Sequence, residues 1–269
     1  MPMDLPTAIQ LGQFVNAAYS PSSTTPLTYA PPLGYQVVQP IYGNDLATDI
    51  SSGPDDAVPF GFIAQSPAGV APQIVVAIRG TEGIWEWVQD ARFNRVTCPF
   101  AAGAGTTDDG FTDVYMSLTT GSPSGPRVVS ALAPLLKAAP TATLTITGHS
   151  LGSALATLLA LDVVEQGVTD TPAVTTFASP LVGDGQFAAT YNSELPNTWR
   201  IANAVDIVPK LPPPNWGFVH VNTLFSVSSL GKAKLNPVCC HAMDTYLYLL
   251  DQLNGGSTLK LDASCVGLI

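Results

Sequence analysis

The sequence predicts an α/β protein with a mostly parallel central sheet flanked by helices. Three observations carry this. Short β-rich runs alternate with helical segments along the chain. The run Ile74-Val-Val-Ala-Ile78 is apolar throughout, as in a strand buried on both faces. A strand leads into a helix through a tight glycine-flanked turn at 148–152.

In chain order, Thr7 to Ser20 spaces Ile9, Leu11, Phe14, Val15 and Ala18 as one face of a helix. Pro21 to Pro32 and Ser51 to Pro59 read as surface loops. Tyr35–Ile41, Val58–Gln65 and Gln73–Arg79 read as two edge strands leading to a buried one. Pro126 to Ala138 is a helix with proline near its start. Leu144–Thr147 is a strand and Leu151–Gln166 a strong helix; Ala173–Ala178, Thr198–Ala204 and Phe218–Val227 add strands, and His241–Leu253 a last helix. No repeat or long linker interrupts residues 1–269, which are expected to form one domain.

Composition excludes several classes. With 269 residues, 46% hydrophobic and only 11% charged, the chain can fill a core and is not disordered. No apolar run approaches the roughly 20 residues that a membrane span needs. A net charge of −10 argues against nucleic acid as a partner. No Lys or Arg precedes Arg79, so the start lacks the positive region of a secretory signal, and a cytoplasmic or mature secreted form is expected. Cys98, Cys239, Cys240 and Cys265 have no zinc-binding spacing. They are expected as free buried thiols.

The segment Gly148-His-Ser-Leu-Gly152 holds the chemistry. A strand turning sharply into a helix strains its apex residue and lifts the Ser150 hydroxyl clear of the sheet. Small residues two before and two after let strand and helix pass close together. The helix N-terminus favours a developing oxyanion, with the Leu151 N–H aimed at it. A serine placed in this way takes its acid and its histidine from later in the chain. Of three histidines, His149 sits inside the turn beside the nucleophile; His220 lies in a β-rich run; His241 stands at a loop-to-helix junction and is the preferred base, with His220 in reserve. For the acid, Asp206 ends a strand and precedes a proline-stiffened loop; Asp184, in a Gly-Asp-Gly turn, is the runner-up. Asp162, Asp244 and Asp251 fall in helices and are expected to be solvated. The assignment is Ser150, Asp206 and His241.

These residues, together with Ile78-Arg-Gly-Thr81, Trp87, Asp90, Gly110-Phe111 and Thr176-Phe-Ala-Ser-Pro-Leu-Val-Gly183, resemble the class 3 (fungal-type, mucor-type) triacylglycerol lipases of the α/β-hydrolase fold. The resemblance spans roughly residues 10–255. It implies the same three triad residues, and makes Thr81 the second oxyanion-hole residue beside Leu151. It also places a short helical lid at about 82–96, in which Ile84, Trp85 and Val88 recur at helical spacing beside Trp87. The chain departs from relatives in carrying Asp108 two residues before Gly110, where many have histidine. The implied reaction is ester hydrolysis through an acyl-enzyme, needing no metal or organic cofactor. The implied substrate is a lipid or small ester, met at an oil–water interface. Alternatives are a short-chain or feruloyl-type esterase and a non-catalytic lipid-binding protein.

Overall fold

The computed structural model describes residues 3–23, 27–45, 57–81 and 93–267. Its helices are α1 (Leu5–Ala18), α2 (Asp109–Ser117), α3 (Val128–Ala138), α4 (Leu151–Glu165), α5 (Gly185–Glu194), α6 (Pro237–His241) and α7 (Met243–Leu253). The strands are β1 (Gln36–Gly43), β2 (Val58–Gln65), β3 (Gln73–Ile78), β4 (Arg95–Thr97), β5 (Thr106–Asp108), β6 (Thr119–Thr120), β7 (Thr143–His149), β8 (Ala173–Phe177), β9 (Gly183–Asp184), β10 (Thr198–Asn203), β11 (Phe218–Val219) and β12 (Thr223–Val227).

The main sheet runs β12-β10-β8-β7-β3-β2-β1-β6. From β3 to β12 every pairing is parallel, and from β3 to β6 every pairing is antiparallel. Period-two alternation divides the core between the two faces. Ile74, Val76 and Ile78 of β3 pack in one cluster with α2, α3 and α4. Val75 and Ala77 join the other, under α1 and α7. Helix α4 is apolar around nearly its whole circumference, with Leu151 to Val163 buried without a break, so it lies inside the molecule rather than on it.

Several expectations change. The outermost position beyond β1 is taken by the two-residue β6, and β2 is an interior strand buried over most of its length. The run Phe218–Val227 divides, because Asn222 adopts φ 42°: β11 joins a small antiparallel sheet β11-β9-β5-β4, while β12 joins the main one. The last helix breaks at Ala242, whose extended ψ of 136° separates α6 from α7. The thiols also correct the sequence reading: Cys239 and Cys265 form a disulfide, leaving Cys98 and Cys240 free and buried. Asp162 and Asp251 are buried rather than solvated, Asp162 against Tyr115 and Arg127 (3.0 Å) and Asp251 as acceptor for Thr258 and Leu259 N–H.

Candidate active site

Ser150 lies between β7 and α4 with φ 58° and ψ −126°, a region that non-glycine residues rarely occupy. The glycines explain how the chain tolerates this turn. A Cβ on Gly148 would lie 2.2 Å from the Gly152 carbonyl oxygen, and one on Gly152 would lie 2.4 Å from the carbonyl oxygens of Ile78 and Arg79. The second contact brings the end of β3, and so Gly80 and Thr81, against the N-terminus of α4. The first N–H groups of that helix, including Leu151's, have no intrahelical acceptor. Thr81 is buried at this junction. Arg79, stacked over Phe60, donates to the carbonyls of Pro59 (2.7 Å) and Gly80 (2.6 Å) and so fixes the strand end.

Asp206 follows β10 on the same edge of the sheet and is buried. Its Oδ2 accepts from His241 Nδ1 at 2.8 Å and from the Tyr246 hydroxyl at 2.8 Å, while Oδ1 accepts from the Val208 N–H at 3.0 Å. A carboxylate can only accept, so His241 carries its hydrogen on Nδ1, and in the neutral ring Nε2 presents a lone pair. Both His241 Nε2 and Ser150 Oγ are buried without a hydrogen-bond partner among the described residues. Unsatisfied polar atoms on Ser150 and on His241, whose ring packs against that of the elbow residue His149, are the atoms a reacting group would engage.

His149 joins the two halves of this arrangement. Its ring lies 4.6 Å from that of His241, centroid to centroid, and its Nε2 is 2.8 Å from the His241 carbonyl. Burial, reinforced by the neighbouring His241, holds its pKa well below the usual histidine range, so the ring is neutral. The carbonyl requires a donor, which assigns the hydrogen to Nε2 and leaves Nδ1 as acceptor for the Tyr19 hydroxyl at 2.7 Å. Tyr19 in turn accepts from the Gly80 N–H at 2.8 Å. An unbroken chain therefore runs from the residue before Thr81, through Tyr19 and His149, to the backbone of His241.

Asn203 holds the base from another side. Its amide donates to the Cys240 carbonyl (2.8 Å) and to Ser229 Oγ (2.8 Å), and its carbonyl accepts from the Ser229 N–H (3.0 Å). The short helix α6 thus has its last two carbonyls, at Cys240 and His241, capped by buried side chains of the sheet layer.

The alternatives considered for acid and base are engaged elsewhere. His220 Nε2 donates to the Pro209 carbonyl at 2.7 Å, and burial with nearby Arg200 pushes its pKa down to about 4. Asp184 caps α5 through the Phe187 N–H (2.8 Å) and binds Thr106 Oγ1 (2.6 Å). The expected lid residues Ile84, Trp85, Trp87 and Val88 lie outside the described residues, as does Asp90; within the expected span 82–96, Arg95 and Val96 belong instead to β4, paired with β5. Tyr19, Asn203 and Tyr246 escaped the sequence reading. Each is remote in sequence or sits within a helix or strand where its side chain looks like ordinary core, and only the Gly-His-Ser order hinted that His149 needs a partner.

The family profile for lipase (class 3) matches residues 75–216. A phospholipase A1-II 3 from rice (Oryza sativa subsp. indica) is 34% identical over 227 residues, covering 72% of this chain and 54% of that protein. A secreted mono- and diacylglycerol lipase 1 from Fusarium solani is 28% identical, covering 62% of this chain and 50% of that one. The chain spans about half the length of these two curated relatives. Among solved structures, the native Rhizomucor miehei lipase propeptide complex superposes with a TM-score of 0.62 at 23% identity, over 83% of this chain and 67% of that one. The fold is that of an α/β hydrolase. Within that fold the chain belongs to the class 3 lipase family.

Proposed function

We propose that the protein is a serine ester hydrolase acting on acyl esters of glycerolipids, with triacylglycerol-type substrates the first to test. The observation that carries this is the pair of buried, unpartnered atoms, Ser150 Oγ and His241 Nε2, with the other His241 nitrogen fixed by Asp206. The family match and the relatives' names support the same substrate class.

In the reaction, His241 Nε2 takes the Ser150 proton as the hydroxyl oxygen attacks the ester carbonyl. The N–H groups of Thr81 and Leu151 receive the oxyanion; one such donor is worth about 3 kcal/mol of barrier. Asp206 holds the imidazole tautomer and stabilises the imidazolium, which returns its proton to the departing alcohol. Water then attacks the acyl-enzyme along the same path and releases the fatty acid. On the strength of the class 3 lipase match we assign Ile84, Trp85, Trp87 and Val88 to a lid.

Ser150→Ala is expected to reduce ester hydrolysis to background with an unchanged circular dichroism spectrum. A fluorophosphonate is expected to label Ser150 in the parent and nothing in the variant. Full turnover by the variant would remove Ser150 from the mechanism. Rates on emulsified long-chain triglyceride against soluble short-chain esters then set the substrate class, and a preference for the soluble esters at every concentration would overturn the glycerolipid assignment.

A further inference from the structure

Charge is distributed very unevenly along this chain. Residues 195–243 hold four Lys or Arg (Arg200, Lys210, Lys232, Lys234) and a single acidic residue, Asp206, for a net +3; the remainder holds six against nineteen, a net −13. Asp206 is buried and already bonded to His241, and Arg200 is buried with its Nε on the Val221 carbonyl, so what reaches the surface is lysine. Lys210 follows the carboxyl end of β10, and Lys232 and Lys234 follow that of β12, on the side of the sheet where Asp206 also follows β10.

Exposed apolar side chains coincide with these lysines. Leu230 is 63% exposed, Leu235 55%, Val238 59% and Val266 58%. Backbone bonds and the disulfide bind their segments into one surface. The Lys234 N–H donates to the Cys265 carbonyl at 3.0 Å, Cys239 is bonded to Cys265, the Ala233 N–H returns to the Ser229 carbonyl, and Asn203 ties Ser229 to Cys240. Val238 lies on α6 between Pro237 and Cys239, on the helix whose other residues Cys239, Cys240 and His241 are buried. An otherwise acidic protein thus carries, beside its catalytic base, a fixed rim of large apolar side chains in which Lys232 and Lys234 outnumber the exposed carboxylate of the joined 262–266 segment, Asp262.

We propose that this rim, formed by Leu230, Lys232, Lys234, Leu235, Val238 and Val266, docks the protein onto an anionic lipid bilayer. The occupant follows from charge complementarity. Apolar side chains alone would suit any lipid, but lysines in an acidic molecule add attraction only where the surface is negative, by roughly fivefold in affinity per residue. A protein partner would be expected to bury these side chains in a defined pocket, whereas separate protruding residues around a cationic ring suit insertion between headgroups. The proposal rests on the ester-hydrolase reading for its purpose: docking here would hold the mouth of the site against the bilayer, with α6 seated directly on it.

The test uses the Ser150→Ala protein, so that vesicles survive, with phosphatidylcholine vesicles and with the same vesicles containing phosphatidylglycerol. Cosedimentation is expected to show at least tenfold tighter binding to the anionic vesicles, weakening as salt rises. Lys232→Glu with Lys234→Glu is expected to abolish that preference, and Leu235→Ser with Val238→Ser to weaken binding to both vesicle types. Equal binding to the two kinds of vesicle, no binding to either, or an anionic preference that survives the lysine reversal would each overturn the proposal. In the Ser150-intact protein the lysine reversal is expected to leave hydrolysis of a soluble short-chain ester unchanged. Loss of that hydrolysis would also count against the proposal, since it would make the lysines part of the reaction rather than of docking. An intact parent that fails to hydrolyse any ester would refute the catalytic reading and leave the vesicle result standing.

Discussion

At the scale of single residues, the site depends on hydrogens whose positions follow from what each acceptor can accept. His149 is the clearest case. Its sequence position beside Ser150 excluded it as base, yet its neutral ring carries a contact from Tyr19 to the His241 carbonyl. Removing the Tyr19 hydroxyl would leave both the Gly80 N–H and His149 Nδ1 without that partner in a buried setting, at a cost of about 1–3 kcal/mol. Tyr19→Phe is therefore expected to lower kcat about tenfold while leaving KM within about twofold, because it loosens the reacting geometry and not the acyl groove. Steady-state kinetics on a soluble ester check this. A rise in KM at constant kcat would place Tyr19 in substrate binding instead. The pairing of Asp206 with His241 could be anticipated because the sequence puts one at the end of a strand and the other at a loop-to-helix junction. Tyr246, which shares Asp206 Oδ2 with His241, was not, since a tyrosine within an apolar helix has the same pattern whether its hydroxyl is used or not.

At the scale of elements, what could be read was what periodicity encodes. Helices α1 and α4 and strands β2, β3, β7 and β8 lie close to where the apolar spacing puts them. Helix α2 did not show itself: Asp109-Gly-Phe-Thr-Asp-Val-Tyr-Met-Ser117 has glycine at its second position and weak helix formers everywhere but Met116, and it is held by the Asp108 cap on the Phe111 N–H (3.0 Å) and by burial of Phe111 and Tyr115. The small sheet β11-β9-β5-β4 is equally silent, its strands being two or three residues long. Helix α6 depends most on tertiary support. With five residues it has no stability of its own, and it is fastened by Asn203, by His149 and by the Cys239–Cys265 disulfide across 26 residues. Loop closure of that length is worth about 3 kcal/mol. Cys239→Ala with Cys265→Ala is expected to reduce stability to denaturant by that amount, and to lower kcat further than any loss of folded protein explains. An unchanged kcat in the folded fraction would show that the two side-chain caps alone hold His241.

At the scale of the whole molecule, three buried titratable groups that pull in opposite directions should set the pH of greatest stability. His149 and His220 are held neutral in the fold, His220 with a pKa near 4 against 6.5 when free. Groups whose folded pKa is depressed contribute stability that is present above the unfolded value and lost as pH falls through the folded one. These two therefore weaken the fold progressively below about pH 6.5. Asp108 does the reverse. It is buried at the cap of α2, where desolvation raises its pKa from 3.8 to about 7 despite the Phe111 N–H, and Asp109 and Asp113 add to the rise. One of its oxygens has no hydrogen-bond partner among the described residues. Its contribution is full below the unfolded pKa and is lost as pH rises toward 7. Between about 4 and 6.5 two histidines oppose one carboxyl, so stability rises with pH; above that only the Asp108 loss continues, and the maximum falls near neutrality. Asp108→Asn isolates the carboxyl, because asparagine keeps the capping oxygen and cannot ionise. The variant is expected to match the parent closely at pH 4 and to exceed it by on the order of 4 kcal/mol at pH 8, measured by denaturant unfolding at each pH. A difference that stays constant across this range would mean that Asp108 is ionised in the fold at all of these values, and that its unpartnered oxygen is satisfied in solution by water.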